Sequence, residues 1–254
     1  YLDRMTLMYR MPRVKLPAVV LGSEERNTGK STLLFFNCAV WQGNAVIIGN
    51  EALTDSFNSD WVDMHYVGVD ETFVDKKHSQ ERLKSTITNP RMQRRAMYSD
   101  RESGTNFIKF DLTTNDLDKF ISISPDEMRY WVNHVPALVK RDPMLLQKMM
   151  AEIPALIHDL RHREIVHPRI DRLWFADSVL DTQARRDVAA ASITWCGKEL
   201  RAWIPAQFYN YRWPELYFTQ TQVKEGVNKD NGARFRLGEI GETLRRMRMP
   251  NGRV

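Results

Sequence analysis

A chain of 254 residues, 43% apolar and 27% charged, is long enough to bury one sizeable core and a smaller satellite. It contains no apolar run near the ~18 residues of a membrane span, and Cys38 and Cys196 lie in unrelated contexts, which excludes a disulfide scaffold or a cysteine-built zinc site and fits a reducing cytoplasm. The net charge of +5 is unevenly placed: residues 201–254 carry ten Lys/Arg against five Asp/Glu, whereas the first 200 residues balance, so the basic end suits an anionic partner such as nucleic acid or forms a solvated basic surface.

Residues 1–15, basic and Met-rich without clear periodicity, are expected to be a linker or connecting helix from a preceding region, since the chain opens on Tyr1 and reads as a piece of something longer. Residues 16–140 carry the main domain. The run Leu16 to Leu21 predicts a strand ended by Gly22, and Ser31 to Trp41 predicts the helix that follows. Two more apolar runs read as strands, His65 to Val69 before Asp70-Glu71, and Phe107 to Leu112 before Thr113-Thr114-Asn115-Asp116. Polar residues at strand carboxyl ends are how open α/β sheets present ligand sites. Between these strands, Ser79 to Thr88 predicts a helix, and Arg91 to Lys109 a β-hairpin turning near Asp100–Gly104. After Met128 to Val132 the chain is expected to become helical, with a helical subdomain over 141–194 in which Pro154 breaks the periodic stretch from Pro143 to Arg163. A basic, aromatic-rich carboxyl-terminal domain is assigned to 195–254, with an amphipathic helix from Leu237 to Met247.

The loop Glu24-Glu25-Arg26-Asn27-Thr28-Gly29-Lys30-Ser31-Thr32 has the parts that bind nucleotide phosphates, because a glycine-containing turn opening a helix supplies convergent N–H donors, a mobile cation and a hydroxyl for Mg²⁺. Gly29 allows close approach, Lys30 reaches the β- and γ-phosphates, Ser31 ligates Mg²⁺, and the amides of Asn27 to Thr32 line the concavity. Standard spacing also places a glycine where this chain has Glu24, with Gly22 two residues too early, and Glu24 and Glu25 must point outward or be offset by Arg26. Gly-Lys-Ser-Thr can also simply begin an ordinary helix. What favours ATP and Mg²⁺ is the order of later signals: Asp70 for the metal, Glu71 to polarise the attacking water, then Asn115 to orient it, each after a strand. The alternatives are a loop start at Asp70-Glu71 and an N-cap or turn at Thr113–Asp116. Arg129 follows, either as a finger entering a neighbouring subunit's site or as a surface arginine paired with Asp126 or Glu127.

This order resembles the superfamily 3 type of AAA+ helicase, and more narrowly the helicase-like domain attached to primase or primase–polymerase modules of phages, plasmids and prophages. The motifs that carry it are Ser23 to Thr32, Phe57-Asn58-Ser59-Asp60-Trp61, Val69-Asp70-Glu71, Thr113-Thr114-Asn115-Asp116, Glu127 to Val132, Asp142-Pro143 and Ala151 to Leu156, covering about residues 16–165. The resemblance implies an α/β P-loop AAA+-like fold and a hexameric or similar ring that moves along single-stranded or forked DNA in the cytoplasm of a bacterial host. It also implies a primase or polymerase region ahead of the chain and tolerance of an Asn-Thr-Gly-Lys loop without the early glycine. Lys30 and Ser31 would serve phosphate and Mg²⁺, Asp70 and Glu71 would be the Walker B pair, Asn115 the sensor and Arg129 the finger acting in trans. A DNA-contacting hairpin is implied between Walker B and the sensor, where Arg91, Arg94, Arg95 and Arg101 stand, with Arg82 and Lys84 before them.

Other patterns stay outside that reading. His158 and His162 lie four apart with His167 nearby, and are read as salt-bridged surface residues rather than metal ligands. Trp195, Trp203, Tyr209, Tyr211, Trp213 and Tyr217 interleave with Arg201 and Arg212; they are read as the core of a small terminal domain, the alternative being a base-stacking surface. Two rival functions are a nucleotide-binding, DNA-clamping module with little ATPase activity and a small-metabolite P-loop kinase.

Overall fold

A computed structural model describes residues 1–55, 57–72, 77–95, 102–121, 123–124, 126–138, 142–192, 195–212, 214–231, 235–247 and 249. The chain divides into two compact units, Tyr1–Ala190 and Ala191–Val254. In chain order the first contains α1 (Leu2–Arg10), β1 (Ala18–Gly22), α2 (Lys30–Val40), β2 (Ala45–Gly49), α3 (Asn50–Thr54), β3 (Tyr66–Asp70), α4 (Lys77–Thr88), β4 (Arg91–Arg94), β5 (Glu102–Thr105), β6 (Lys109–Thr114), α5 (Leu117–Phe120), β7 (Tyr130–His134), α6 (Leu145–Ala151), α7 (Ile153–His162), α8 (Asp177–Leu180) and α9 (Gln183–Ala191). The second contains α10 (Trp195–Tyr211), α11 (Gln220–Asn231) and α12 (Leu237–Arg246).

Five strands form one parallel sheet in the order β2-β3-β6-β1-β7. The inner strands β1 and β6 are buried along their whole length, as expected of parallel strands covered on both faces. One face packs Val20, Val67, Val69, Phe110, Leu112 and Val132 against Leu83 and Ile87 of α4. The other packs Tyr66 and Trp131 against Leu7 and Met8 of α1 and against Phe175. Two strands lie beyond the runs read as strands in the sequence: β2, and β7, which pairs with β1 from the apolar Tyr130 onward, just before the stretch expected to become helical. Pro154 sits in the first turn of α7 and so begins that helix, a place where its missing N–H costs nothing. No described helix is long and apolar enough to cross a membrane.

The hairpin forms, and part of the span expected as its turn is strand. β4 and β5 pair antiparallel with Arg91 opposite Thr105 and Arg94 opposite Glu102, so Glu102 to Gly104 are strand rather than turn. Lys109 belongs to the main sheet, not to the hairpin. In the second unit Trp203 is buried with Cys196, Leu200, Val223, Val227, Phe235 and Ile240. The other aromatics expected in that core are at its surface: Trp195 is 59% exposed, Tyr209 81%, Tyr211 56% and Tyr217 68%. Trp213 lies outside the described residues. The reason is register, because positions three and four apart on α10, those of Cys196, Leu200, Trp203 and the partly buried Ile204, face the core shared with α11 and α12.

The stretch expected as a connector is instead part of the first unit. In α1, Asp3, Arg4 and Thr6 are buried, and the Arg4 guanidinium lies 2.9 Å from Asp111 in the middle of β6, both side chains fully enclosed. Asp111 also accepts from Tyr1 Oη at 2.7 Å, Asn37 Nδ2 at 2.9 Å and Tyr66 Oη at 3.4 Å. Near the amino end of β6, Lys109 donates to the carbonyls of Phe107 and Pro12, and Lys15 to that of Asn106. Burial lowers both lysines to about 7, for Lys109 with added repulsion from Lys15 and Arg4.

Asp111→Asn leaves the Arg4 charge enclosed without its counter-charge, and the expected loss of unfolding free energy is about 3–5 kcal/mol by urea denaturation. Between pH 7 and 10.5 the unfolded chain holds protons that the buried lysines release, so stability is expected to rise with pH across that window. In Lys109→Met this rise should shrink when unfolding midpoints are compared at about pH 7.5 and about pH 9.5.

Candidate functional site

The carboxyl ends of β1, β3 and β6 lie side by side, because Gly22 pairs with Thr114 and Val69 with Leu112. Polar residues that follow three separate apolar runs are therefore brought together at one edge of the sheet. The chain leaves β1 through Ser23, turns through Asn27 and Gly29 with φ of 59° and 86°, and enters α2 at Lys30. Gly29 needs its lack of a side chain, since that backbone region strains other residues. Gly22 needs it for another reason: a Cβ there would stand 2.2 Å from Leu117 of α5.

Lys30, only 8% exposed, turns back over the loop and donates to the carbonyls of Ser23 at 3.2 Å and Glu25 at 3.5 Å. Burial lowers its pKa, and the charge of Asp70 opposes that shift. Glu24, Glu25, Arg26 and Asn27 are all exposed, so the two carboxylates face outward. Thr28 is buried, and its hydroxyl finds no hydrogen-bond partner among the described residues. A buried polar atom without a partner is costly, and a ligand seated in the turn would supply one.

Ser31 donates to Asp70, with its Oγ 3.1–3.2 Å from the two carboxylate oxygens. Thr113 Oγ1 donates to Asp70 Oδ1 at 2.6 Å and accepts from the backbone N–H of Glu71 at 3.1 Å. Glu71 is exposed and held at φ 53°, with the next amide, that of Thr72, bonded to Thr113 O at 2.6 Å. Asn115 is exposed just past β6, and Thr32 half-buried in the first turn of α2. Ser31, Asp70 and Thr113 are thus one hydrogen-bonded group, with Lys30 close enough to feel the Asp70 charge and Glu71 and Asn115 on the same edge. Such a group fits a phosphate with its divalent cation, since hydroxyl and carboxylate oxygens are hard-cation ligands and Lys30 is the enclosed positive charge.

The other assigned residues lie elsewhere. Arg129 directly precedes β7, and its carbonyl accepts from Ala18 at the start of β1. It therefore sits at the opposite edge of the sheet, a strand length of roughly 13 Å away. There it pairs with the buried Glu127 at 2.8 Å within its own chain. The hairpin rises from that same edge, where Asn106 N donates to Pro90 O. Arg91, Arg94 and Arg95 are exposed on it, with Arg94 3.5 Å from Asp63, while Arg101 lies outside the described residues. Arg82 lies over the Trp61 ring at 5.8 Å. His167 pairs with Asp3 at 2.7 Å, apart from His158 and His162, whose rings lie 4.4 Å apart and tilted by 41°.

Two residues with clear roles escape the sequence pattern. By pattern Thr113 is only part of a turn or cap, yet it is the residue that bridges Asp70 and Glu71. Asn58, 4% exposed, donates to Gln93 O at 2.9 Å and accepts from Arg95 N at 2.7 Å, which pins the hairpin. Its only signal is its place in the Phe57–Trp61 motif.

The model of a family of unknown function (DUF5906) matches residues 21–129, the span from the end of β1 to Arg129. No curated protein matches the sequence. Among solved structures, the apo NrS-1 C-terminal region is similar with a TM-score of 0.65 and 15% identity, covering 95% of this chain and 56% of that one. Two structures of its A form give TM-scores of 0.63 and 0.64 at 14% and 15% identity, each covering 92% of this chain and 54% of theirs. The chain shares the fold of that region and spans about half its length.

Thr113→Val removes the bridge between Asp70 and the Glu71 amide. The expected cost is about 1–3 kcal/mol in urea unfolding, with amide exchange at Glu71 and Thr72 accelerated relative to the core strands.

Proposed function

We propose that the chain is the ATP-dependent DNA translocase or helicase module of a phage-type replication protein and works as a ring, a hexamer by the superfamily 3 resemblance. The observation that carries this reading is the enclosed Lys30 beside the Ser31–Asp70 contact at the carboxyl edge of a parallel sheet. The amides of Asn27 to Thr32 and the Lys30 ammonium would bind the triphosphate, with Thr28 gaining its missing partner. Ser31 and Asp70 would hold Mg²⁺, which when bound supplies positive charge against the phosphates. Glu71 would take the proton of the attacking water, and Asn115 would orient that water. Arg129 is at the far edge of its own sheet and paired with Glu127, so as a finger it would leave that pair and serve the site of another copy in a ring. Arg91, Arg94, Arg95 and Arg101 would follow the DNA backbone, and a primase or polymerase region of the full protein would share the template.

Phosphate release measured with and without single-stranded DNA tests this. The expected result is DNA-stimulated turnover that falls about 10²–10³-fold in Lys30→Ala. Arg129→Ala should be equally inactive alone, yet an equimolar mixture of the two variants should recover part of the activity by pairing an intact Lys30 with an intact Arg129. A second reading, a nucleotide-dependent DNA clamp with little hydrolysis, is favoured by the exposed Glu71 and by the Glu24-Glu25 pair at the loop mouth. Tight ATP binding without turnover on DNA would select the clamp.

A further inference from the structure

The carboxyl-terminal unit has a surface that the nucleotide site does not use. On α10, Cys196, Leu200 and Trp203 face the core formed with α11 and α12. Turning each residue by the roughly 100° of an α-helix places Lys198, Arg201, Pro205, Phe208, Tyr209 and Arg212 within about 60° of one line on the opposite side. All six are exposed, Phe208 by 40% and Tyr209 by 81%. Glu199 falls outside this stripe and accepts from the Trp195 indole N–H at 3.0 Å. The stripe therefore combines three cations and two aromatic rings with no carboxylate. Arg212 follows the helix directly at φ 53°, its N–H closing on Phe208 O at 2.9 Å, so its Cα continues the last turn of α10.

We propose that this face of α10 is a contact site for single-stranded nucleic acid, separate from the hairpin of the first unit. Lys198 and Arg212 stand about 20 Å apart along the axis, the reach of several nucleotides. Arg201 lies between them, so the cations follow a phosphate backbone while Phe208 and Tyr209 stack on unpaired bases. Base–aromatic stacking requires an open π-face and tolerates any base, so the site takes single strands with little sequence preference. A protein partner would need apolar area without the surplus of positive charge, and that surplus is what selects a polyanion.

The test uses the full chain without nucleotide and a fluorescent twenty-nucleotide oligothymidylate, followed by anisotropy across a salt series. Tyr209→Ala and Phe208→Ala are each expected to weaken binding about five- to a hundred-fold, with the salt slope unchanged. Lys198→Ala/Arg201→Ala/Arg212→Ala should lower the magnitude of that slope by about two, at roughly 0.7 for each phosphate that is no longer neutralised. A duplex of the same length should bind less tightly. Lys30→Ala should bind oligothymidylate normally, so failure of the ATPase reading would not be mistaken for failure here. Wild-type affinity in both ring variants and in the triple variant would overturn the proposal. So would a change confined to sedimentation, which would make the stripe a contact between copies.

Discussion

The Arg4–Asp111 ion pair sets the conditions under which the rest of the first unit is built. A carboxylate in the middle of a central strand is prohibitively costly unless it is paired and its remaining lone pairs are filled. Asp111 meets much of that demand by pairing Oδ1 with Arg4 of α1 and accepting at Oδ2 from Tyr1, Asn37 of α2 and Tyr66 of β3. The helix that begins at Lys30 is thereby tied to the sheet by a side chain and not only by apolar contact. Such buried polar contacts have only a few satisfied arrangements, so they fix register where a purely apolar face would allow sliding.

The same period-two face of β6 carries three polar residues in succession, each with a different duty. Lys109 anchors the amino edge, Asp111 the centre and Thr113 the carboxyl edge, where its hydroxyl holds Asp70 and the Glu71 amide. One strand therefore joins the amino-terminal helix to the candidate site. A change in what Asp70 binds is one covalent strand away from the elements at the far edge, including the base of the hairpin and Arg129.

The surface of the second unit answers a different problem. Three helices around one buried tryptophan leave most of α10 unburied, and a small unit of this kind cannot hide all its aromatic residues. Two of the exposed rings, Phe208 and Tyr209, share a helix face with cations, and that placing is set by the helical repeat rather than by proximity in the chain.

Local pattern alone determined the strand–loop–helix around Lys30, the strands before Asp70 and Asn115, the hairpin and the last amphipathic helix, because each is written in contiguous apolar periodicity or in turn chemistry. It also set out the order of Lys30, Ser31, Asp70 and Glu71, since the glycine turn and the strand-ending carboxylates are short motifs. Tertiary structure decided what depends on residues far apart in sequence. Asp3 to Met8 are buried in the first unit because Arg4 meets Asp111, and β7 is a strand because β1 offers it a parallel edge. Thr113 belongs to the site because β6 lies beside β3, and the aromatic residues of α10 are divided between core and surface because the helix presents only one face to α11 and α12. A motif records which groups are available, but pairing and burial across the fold decide which of them meet.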